Sequence, residues 1–168
     1  MDAGATPAGY FACDTKFLNK VQDRFFAGRI MTRNEIVLLV RMGNPKELCK
    51  LKDLGKPGVK LGICDGRKSA LGELTRIMLE RRGLAKELEV NVAVKVAKGD
   101  DLVSAVQARS LDAALVYRSN ALASSVTLEE NEIVELNDDL AFAEQPFAVA
   151  KGSAYPELMR RLGEFLAT

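Results

Sequence analysis

The stretch NVAVKVAKGDDLVSAVQARSLDAALVYRSNA, residues 91–121, decides the fold that we predict for this chain. Its first residues alternate valine with smaller or polar side chains, which is typical of a β-strand. Gly99 breaks this strand, and Asp100 or Asp101 is expected to cap the helix that follows. Residues 113–116 form a short apolar run that predicts a buried parallel strand. The stretch therefore predicts a strand, a helix and a second strand.

A strand–helix–strand unit of this kind also predicts where a ligand binds. Open α/β sheets bind ligands outside the carboxyl ends of their strands. The backbone amides at the predicted helix start, Asp101 and Leu102, and the side chain of Tyr117 at the end of the second strand are expected to meet there. An ordinary βαβ unit without a ligand has the same pattern, so the pattern alone leaves both interpretations open.

The alternation of strands and helices continues through the rest of the chain. Ser69 is expected to cap the longest helix before this stretch, and Gly83 to end it. Alternating strands and helices predict an α/β fold with a parallel or mixed sheet. Strands are predicted at residues 10–13, 35–40, 59–64, 132–136 and 145–150, and helices at residues 14–28, 48–54, 70–82, 84–88 and 119–125 and from residue 153 onward.

Composition excludes several classes of partner. The net charge is +1, and the basic residues occur singly or in pairs. Because no basic stripe alternates with aromatic residues, we expect no nucleic-acid partner. No apolar run is long enough for a transmembrane helix, and the residues after Met1 do not form a signal peptide. A length of 168 residues allows one good core or two small lobes.

The sequence also lacks the residues that common enzymes use. It has no histidine and no GxSxG, GxGxxG or P-loop motif. The sequence therefore shows no residues that would carry out nucleophilic catalysis or bind a nucleotide. Cys13, Cys49 and Cys64 have no metal-ligand spacing and form no disulfide framework. Cys13 and Cys64 are expected to be small buried side chains. We therefore predict that the chain is not an enzyme and has no catalytic residue, cofactor or metal.

Several segments resemble the ModA-type periplasmic molybdate-binding proteins, in the order in which that family has them. GDDLVSAVQARSLDAALVYRSNALAS, residues 99–124, resembles the family segment that ends in GIVYxSDA. The other segments that resemble family segments are YFACDTKFLNKVQD (10–23), NEIVLLVRMGNP (34–45), LKDLGKPGVKLGICDG (51–66), GRKSALGELTRIMLERRGL (66–84) and QPFAVAKGS (145–153). A single segment is a weak signal, but the ordered set is a specific one.

The resemblance implies an α/β, three-layer sandwich of the type II periplasmic-binding-protein kind. Residues 42–139 are then lobe two and complete. Residues 1–41 and 140–168 are then a remnant of lobe one together with the crossing strands. Family members begin with a further segment of lobe one, so the chain is expected to be a fragment or a truncated relative.

The resemblance also implies the binding residues. In the family, the positions of Leu102, through its amide, and of Tyr117, through its hydroxyl, contact the anion. Asp101 and Ser69, at two helix starts, complete the predicted ligand-binding set. Amide and hydroxyl donors bind an oxyanion without a full positive charge. Near Ser69 the chain departs from the family because Gly66 replaces a proline. Arg118 replaces a small residue and either reaches an anion or faces water.

The implied function is the solute-binding component of an ABC importer. Its ligand would be a small oxyanion, molybdate or tungstate, which it would deliver to the transporter permease in a periplasmic or extracytoplasmic location. The alternative is a cytoplasmic ligand-sensing domain from a transcriptional regulator, favoured by the unpaired cysteines. Bare sheet edges and uncovered helix faces in an incomplete lobe would also predict a homodimer.

Overall fold

The computed structural model describes residues 7–123 and 129–167. These residues form two compact units. Unit 1 contains the described residues up to Asn34 and those from Ala143 onward, and unit 2 is Glu35–Phe142. The correspondence of these units to lobe one and lobe two stays a prediction.

The described residues form a mixed α/β structure with a central sheet, as the sequence predicts. None of the described helices is long and apolar enough to span a bilayer. The strands are β1 (Gly9–Phe11), β2 (Arg29–Arg41), β3 (Leu61–Cys64), β4 (Val92–Val96), β5 (Ala113–Tyr117), β6 (Asn131–Val134) and β7 (Phe142–Val149). The helices are α1 (Thr15–Asn19), α2 (Ala70–Arg81), α3 (Ala85–Glu89), α4 (Gly99–Gln107), α5 (Arg118–Ala121) and α6 (Pro156–Leu166).

Unit 1 is built on the antiparallel pair of β1 and β7, in which Tyr10 lies opposite Ala148. Asp14 caps α1 by accepting a hydrogen bond from the Lys16 amide at 3.0 Å. This helix ends nine residues before the predicted end at residue 28, and a short 3-10 helix (Gln22–Arg24) follows it. Phe25 then forms an isolated β-bridge with Ala150. The small core of unit 1 contains Ala12, Leu18, Phe25, Ala148 and Ala150.

Unit 2 has the apolar part of β2 at its centre. Leu38 pairs antiparallel with Leu115 of β5 on one side and with Val134 of β6 on the other. Next to β5 lies β3, which is parallel to both β5 and β4. Because the apolar segment of β2 is hydrogen-bonded on both sides and buried, it forms the core that the sequence predicts.

The helices of unit 2 pack closely on β3 because two glycines leave room for them. A Cβ atom at Gly62 would collide with Leu102 and Leu111. A Cβ atom at Gly72 would lie 2.5 Å from the carbonyl oxygen of Cys64. These contacts fix the starts of α2 and α4 against the carboxyl end of the sheet.

Two further helix boundaries differ from the predicted ones. The last helix begins at Pro156, with Tyr155 as its N-cap, and not near residue 153. Proline suits the first helical position because it has no N–H and its φ is already helical. The helix predicted at residues 119–125 is the shorter α5, and residues 124–128 lie outside the described part of the chain.

One buried polar group in α2 has no partner that the structure describes. Thr75 is 1% exposed, and its hydroxyl oxygen forms no hydrogen bond with the described residues. A buried hydroxyl in this state costs about 1–3 kcal/mol. The residue is therefore a weak point of the core.

We expect Thr75→Val to raise the free energy of unfolding by about 1 kcal/mol, since valine keeps the shape and removes the unpaired hydroxyl. Urea denaturation measures the change. Thr75→Ser is the matched control, because it keeps the hydroxyl and removes the methyl group, and it should lower stability. If Thr75→Val lowers stability by a similar amount, the hydroxyl is hydrogen-bonded after all.

Candidate functional site

The carboxyl ends of β3, β4 and β5 lie at one edge of the sheet of unit 2, because the three strands are parallel. A helix begins a few residues after each strand: α2 after β3, α4 after β4 and α5 after β5. The edge therefore brings together three helix starts. It also brings together the regions that contain the four predicted ligand-binding residues.

The start of α2 has the predicted cap. The Ser69 hydroxyl oxygen accepts a hydrogen bond from the Gly72 amide at 3.2 Å. A hydroxyl is both donor and acceptor, and the Ser69 proton is within hydrogen-bond reach of the Cys64 sulfur. In the preceding loop, Asp65 accepts a hydrogen bond from the Arg67 amide at 2.9 Å. That bond lowers the pKa of Asp65, so this carboxylate is charged at neutral pH.

The start of α4 corrects the sequence prediction. The N-cap is Lys98, whose side chain makes no capping bond, and the helix begins at Gly99. Neither Asp100 nor Asp101 is the cap, and both lie in the first turn. The cause is local backbone geometry. Lys98 is still extended, with φ −123° and ψ 140°, and the helical conformation begins at the next residue, Gly99, which is earlier than predicted.

This boundary changes which amides are free. The first helical residues of α4 are Gly99, Asp100 and Asp101, and their N–H groups have no carbonyl partner within a regular helix. Leu102 is the fourth residue, where a regular helix directs the N–H group to the carbonyl four residues earlier. Its side chain is fully buried. The anion contact of the Leu102 amide stays a prediction.

Two residues at the end of β5 complete this edge. Tyr117 is the N-cap of α5, and its hydroxyl oxygen is shielded from solvent. Asn120, one turn later, donates a hydrogen bond from Nδ2 to Oδ1 of Asp100 at 2.8 Å. Our sequence interpretation missed Asn120. The available signal was a polar residue just beyond the carboxyl end of a predicted parallel strand.

Cys64 at the end of β3 lies opposite Val96 at the end of the parallel strand β4, so the starts of α2 and α4, which follow these strands, are neighbours. Burial raises the pKa of the Cys64 thiol, the Ser69 hydrogen bond acts in the opposite direction, and the charges of Asp101 and Asp100 raise it further. The thiol is therefore neutral at neutral pH. Cys64 is buried as expected, whereas the expectation for Cys13 is wrong. Cys13 is exposed because its neighbour Ala12 is the residue that faces the core.

Arg118 neither faces water alone nor is free to bind an anion. Its guanidinium contacts Glu35 at 2.6 Å and also pairs with Glu135. Glu135 and Glu35 raise the pKa of Arg118. Because two carboxylates surround one guanidinium, this cluster has a net negative charge and adds no positive charge to the edge.

The described residues contain no group of three or more histidine, cysteine, aspartate or glutamate side chains that could hold a metal ion. The donors at the edge are amides, hydroxyls, a carboxamide and the exposed charged groups of Arg67, Lys68 and Lys98. Donors of this kind suit an oxygen-rich ligand better than a cation.

The family profile of the bacterial extracellular solute-binding proteins matches residues 1–168. The chain belongs to this family. It is a solute-binding protein and not an enzyme, as the sequence predicts. No curated protein matches the chain significantly.

Solved structures confirm the type II periplasmic-binding-protein fold. The chain is 14% identical to the periplasmic molybdate-binding protein of Azotobacter vinelandii, with a TM-score of 0.68 over 98% of this chain and 74% of that one. It is 18% identical to the apo ferric ion-binding protein A of Pasteurella haemolytica, with a TM-score of 0.76 over 98% and 65%. It is 16% identical to L-phospholactate-bound PEB3, a Campylobacter jejuni protein, with a TM-score of 0.74 over 96% and 73%.

Proposed function

We propose that this solute-binding protein is the extracytoplasmic component of an ABC importer and that its ligand is a small tetrahedral oxyanion, molybdate or tungstate. One observation carries the proposal. The starts of α2 and α4 lie side by side at the carboxyl edge of unit 2 and present neutral hydrogen-bond donors there. The resemblance to ModA-type proteins and the fold shared with a molybdate-binding protein support the choice of anion.

The proposed donor set combines both helix starts. At α2 the Ser69 hydroxyl donates, and at α4 the amides from Gly99 to Asp101 point outward from the first turn. The Tyr117 hydroxyl and the Leu102 amide remain in the proposed set, as the resemblance implies. An oxyanion exchanges its water for such donors without needing a buried positive charge.

Charge limits the affinity that this edge can reach. Asp100 and Asp101 are in the same turn as the amides of α4, and Arg118 is neutralised by glutamates. Each hydrogen bond to a charged group contributes about 1.5–3 kcal/mol, and immobilising the ion costs part of this sum. A net of about 4 kcal/mol corresponds to a dissociation constant of ~1 mM. We therefore propose weak binding by the donors of unit 2.

The similarity to a ferric ion-binding protein suggests a cation as the other class of ligand. The described residues of this chain do not favour it, because they contain no cluster of acidic, cysteine or histidine ligands. Hard cations need several oxygen ligands at once. An anion therefore remains the proposed ligand.

The second candidate function is that of a cytoplasmic sensor domain that binds the same oxyanion. The observation that favours it is that Cys13, Cys49 and Cys64 are all free, and free thiols are typical of reducing compartments. The family description favours the extracellular candidate. Fractionation of the bacterium that makes the protein would distinguish them, since a sensor would be found only with the cytosol.

Calorimetry with this chain tests the oxyanion. We expect molybdate and tungstate to bind with millimolar dissociation constants. Ser69→Ala and Tyr117→Phe should each weaken binding by roughly tenfold, because each removes one hydroxyl donor. Ser110→Ala is the matched control: its hydroxyl donates to the Ala105 carbonyl at the far end of α4, so binding should not change.

Sulfate and ferric citrate complete the calorimetric series. If sulfate binds as tightly as molybdate and tungstate, the proposal of an oxyanion ligand stands, but the assignment of molybdate or tungstate is wrong. If none of the three anions binds, the oxyanion proposal is wrong, and ferric binding in its place would assign a cation.

The proposed homodimer uses the exposed face of α6 in unit 1. The face consists of Leu158, Leu162, Phe165 and Leu166, of which Phe165 is 74% exposed. A twofold axis at Leu162 would pair two antiparallel copies of α6. Leu158 would then face Leu166 of the second copy. Apolar residues thus meet apolar ones, which suits a second copy of this chain.

Light scattering tests the dimer. We expect a dimer for the unmodified protein and a monomer for Leu162→Glu, because the substitution would place two carboxylates against each other at the axis. Val90→Glu, at an 82% exposed residue of unit 2, is the control and should stay dimeric. A stable monomer of the unmodified protein at high concentration would contradict the proposal.

A further inference from the structure

A groove runs along one flank of α2 in unit 2, between this helix and the strands β3 and β4. Its volume is about 650 Å³, which is within the range of small-molecule sites. None of the four predicted anion ligands is among the described residues that line it. The apolar part of its lining comes from β3, α2, α3 and β4 and consists of Ile63, Leu79, Ala85, Leu88 and Val92.

The Thr75 side chain lines this groove and is only 1% exposed. A threonine in a helix can bond to the carbonyl four residues earlier, but the hydroxyl oxygen of Thr75 forms no hydrogen bond with the described residues. Native proteins pair nearly all of their buried hydroxyls with a protein group, a water molecule or a ligand. The groove is the space from which such a partner reaches Thr75.

The position of Thr75 on α2 places it at the boundary between the core and the groove. Successive residues of an α-helix are separated by about 100° around the axis. On one side of Thr75, Leu71 and Met78 are buried in the core of unit 2. On its other side, Gly72 and Leu79 line the groove. Because the hydroxyl oxygen is shielded from bulk solvent, only a group that enters the groove deeply meets it.

The charges around the groove favour a neutral ligand. Burial raises the pKa of the Cys64 thiol, which also lines the groove, so this group is uncharged at neutral pH. A charged ligand would lose hydration without gaining a free counter-ion, because the basic side chains of the described lining are already paired with acidic ones. The pairs are Arg67–Asp65, Arg76–Glu80 and Lys95–Glu89.

We propose that this groove binds a small, neutral, largely apolar molecule that carries one hydroxyl or carbonyl group, and that the Thr75 hydroxyl forms a hydrogen bond with that group. The apolar body of the ligand would cover the half-buried side chains of Ile63 and Val92. An unpaired buried hydroxyl makes the free protein less stable, and binding sites commonly carry such a cost. The proposal is independent of the oxyanion function, because it uses none of the anion donors.

Nuclear magnetic resonance titrations of the whole isotope-labelled chain with p-cresol and with toluene test the proposal. The two probes share the same apolar ring, and only p-cresol carries a hydroxyl. We expect both probes to shift the signals of Leu79, Leu88 and Val92. Thr75→Val should weaken p-cresol binding about fivefold, because one hydrogen bond is lost, and should change toluene affinity by less than twofold.

Two further variants make the result specific. Thr32→Val makes the same substitution at an exposed threonine of unit 1 and should change neither affinity. Ala85→Phe places a ring in the groove and should abolish the shifts that both probes cause. If the probes shift no residue of the groove, or if Thr75→Val weakens both probes equally or neither of them, the proposal is wrong. The oxyanion proposal is unaffected by either result.

Discussion

The close approach of α2 to the end of β3 is the constraint on which the candidate site depends. It exists because Gly72 has no side chain: a Cβ atom there would lie 2.5 Å from the Cys64 carbonyl oxygen. Any larger residue would push the start of α2 away from the sheet. Ser69 and the buried Cys64 thiol are held by this contact, and through them the start of α2 lies beside the acidic turn of α4.

The edge that results has helix starts that attract anions and side chains that repel them. The amides of α4 and the Ser69 hydroxyl are donors, whereas Asp65, Asp100 and Asp101 are carboxylates. The one arginine at the end of β5 is paired with two glutamates. For an anion at such an edge, the orientation of the backbone dipoles therefore matters more than the net charge.

The fold was predictable from the sequence where local pattern and tertiary structure agree. The apolar run at the centre of β2, the Ser69 cap and the buried parallel strand at residues 113–116 follow from burial and capping. The start of α4 was not predictable, because two aspartates after a glycine resemble a cap, whereas backbone geometry places the cap at Lys98. Asn120 was missed for another reason: its hydrogen bond to Asp100 joins residues twenty positions apart, and no local pattern predicts such a contact.

A nuclear magnetic resonance titration of the isotope-labelled chain with tungstate tests most directly whether the starts of α2 and α4 bind an anion. It reports each backbone amide separately. We expect the largest shifts at the amides from Gly99 to Asp101 and next to Ser69, because these groups exchange water for anion oxygens. Shifts concentrated at another surface, such as the cavity lined by Arg41 and Arg109, would contradict it.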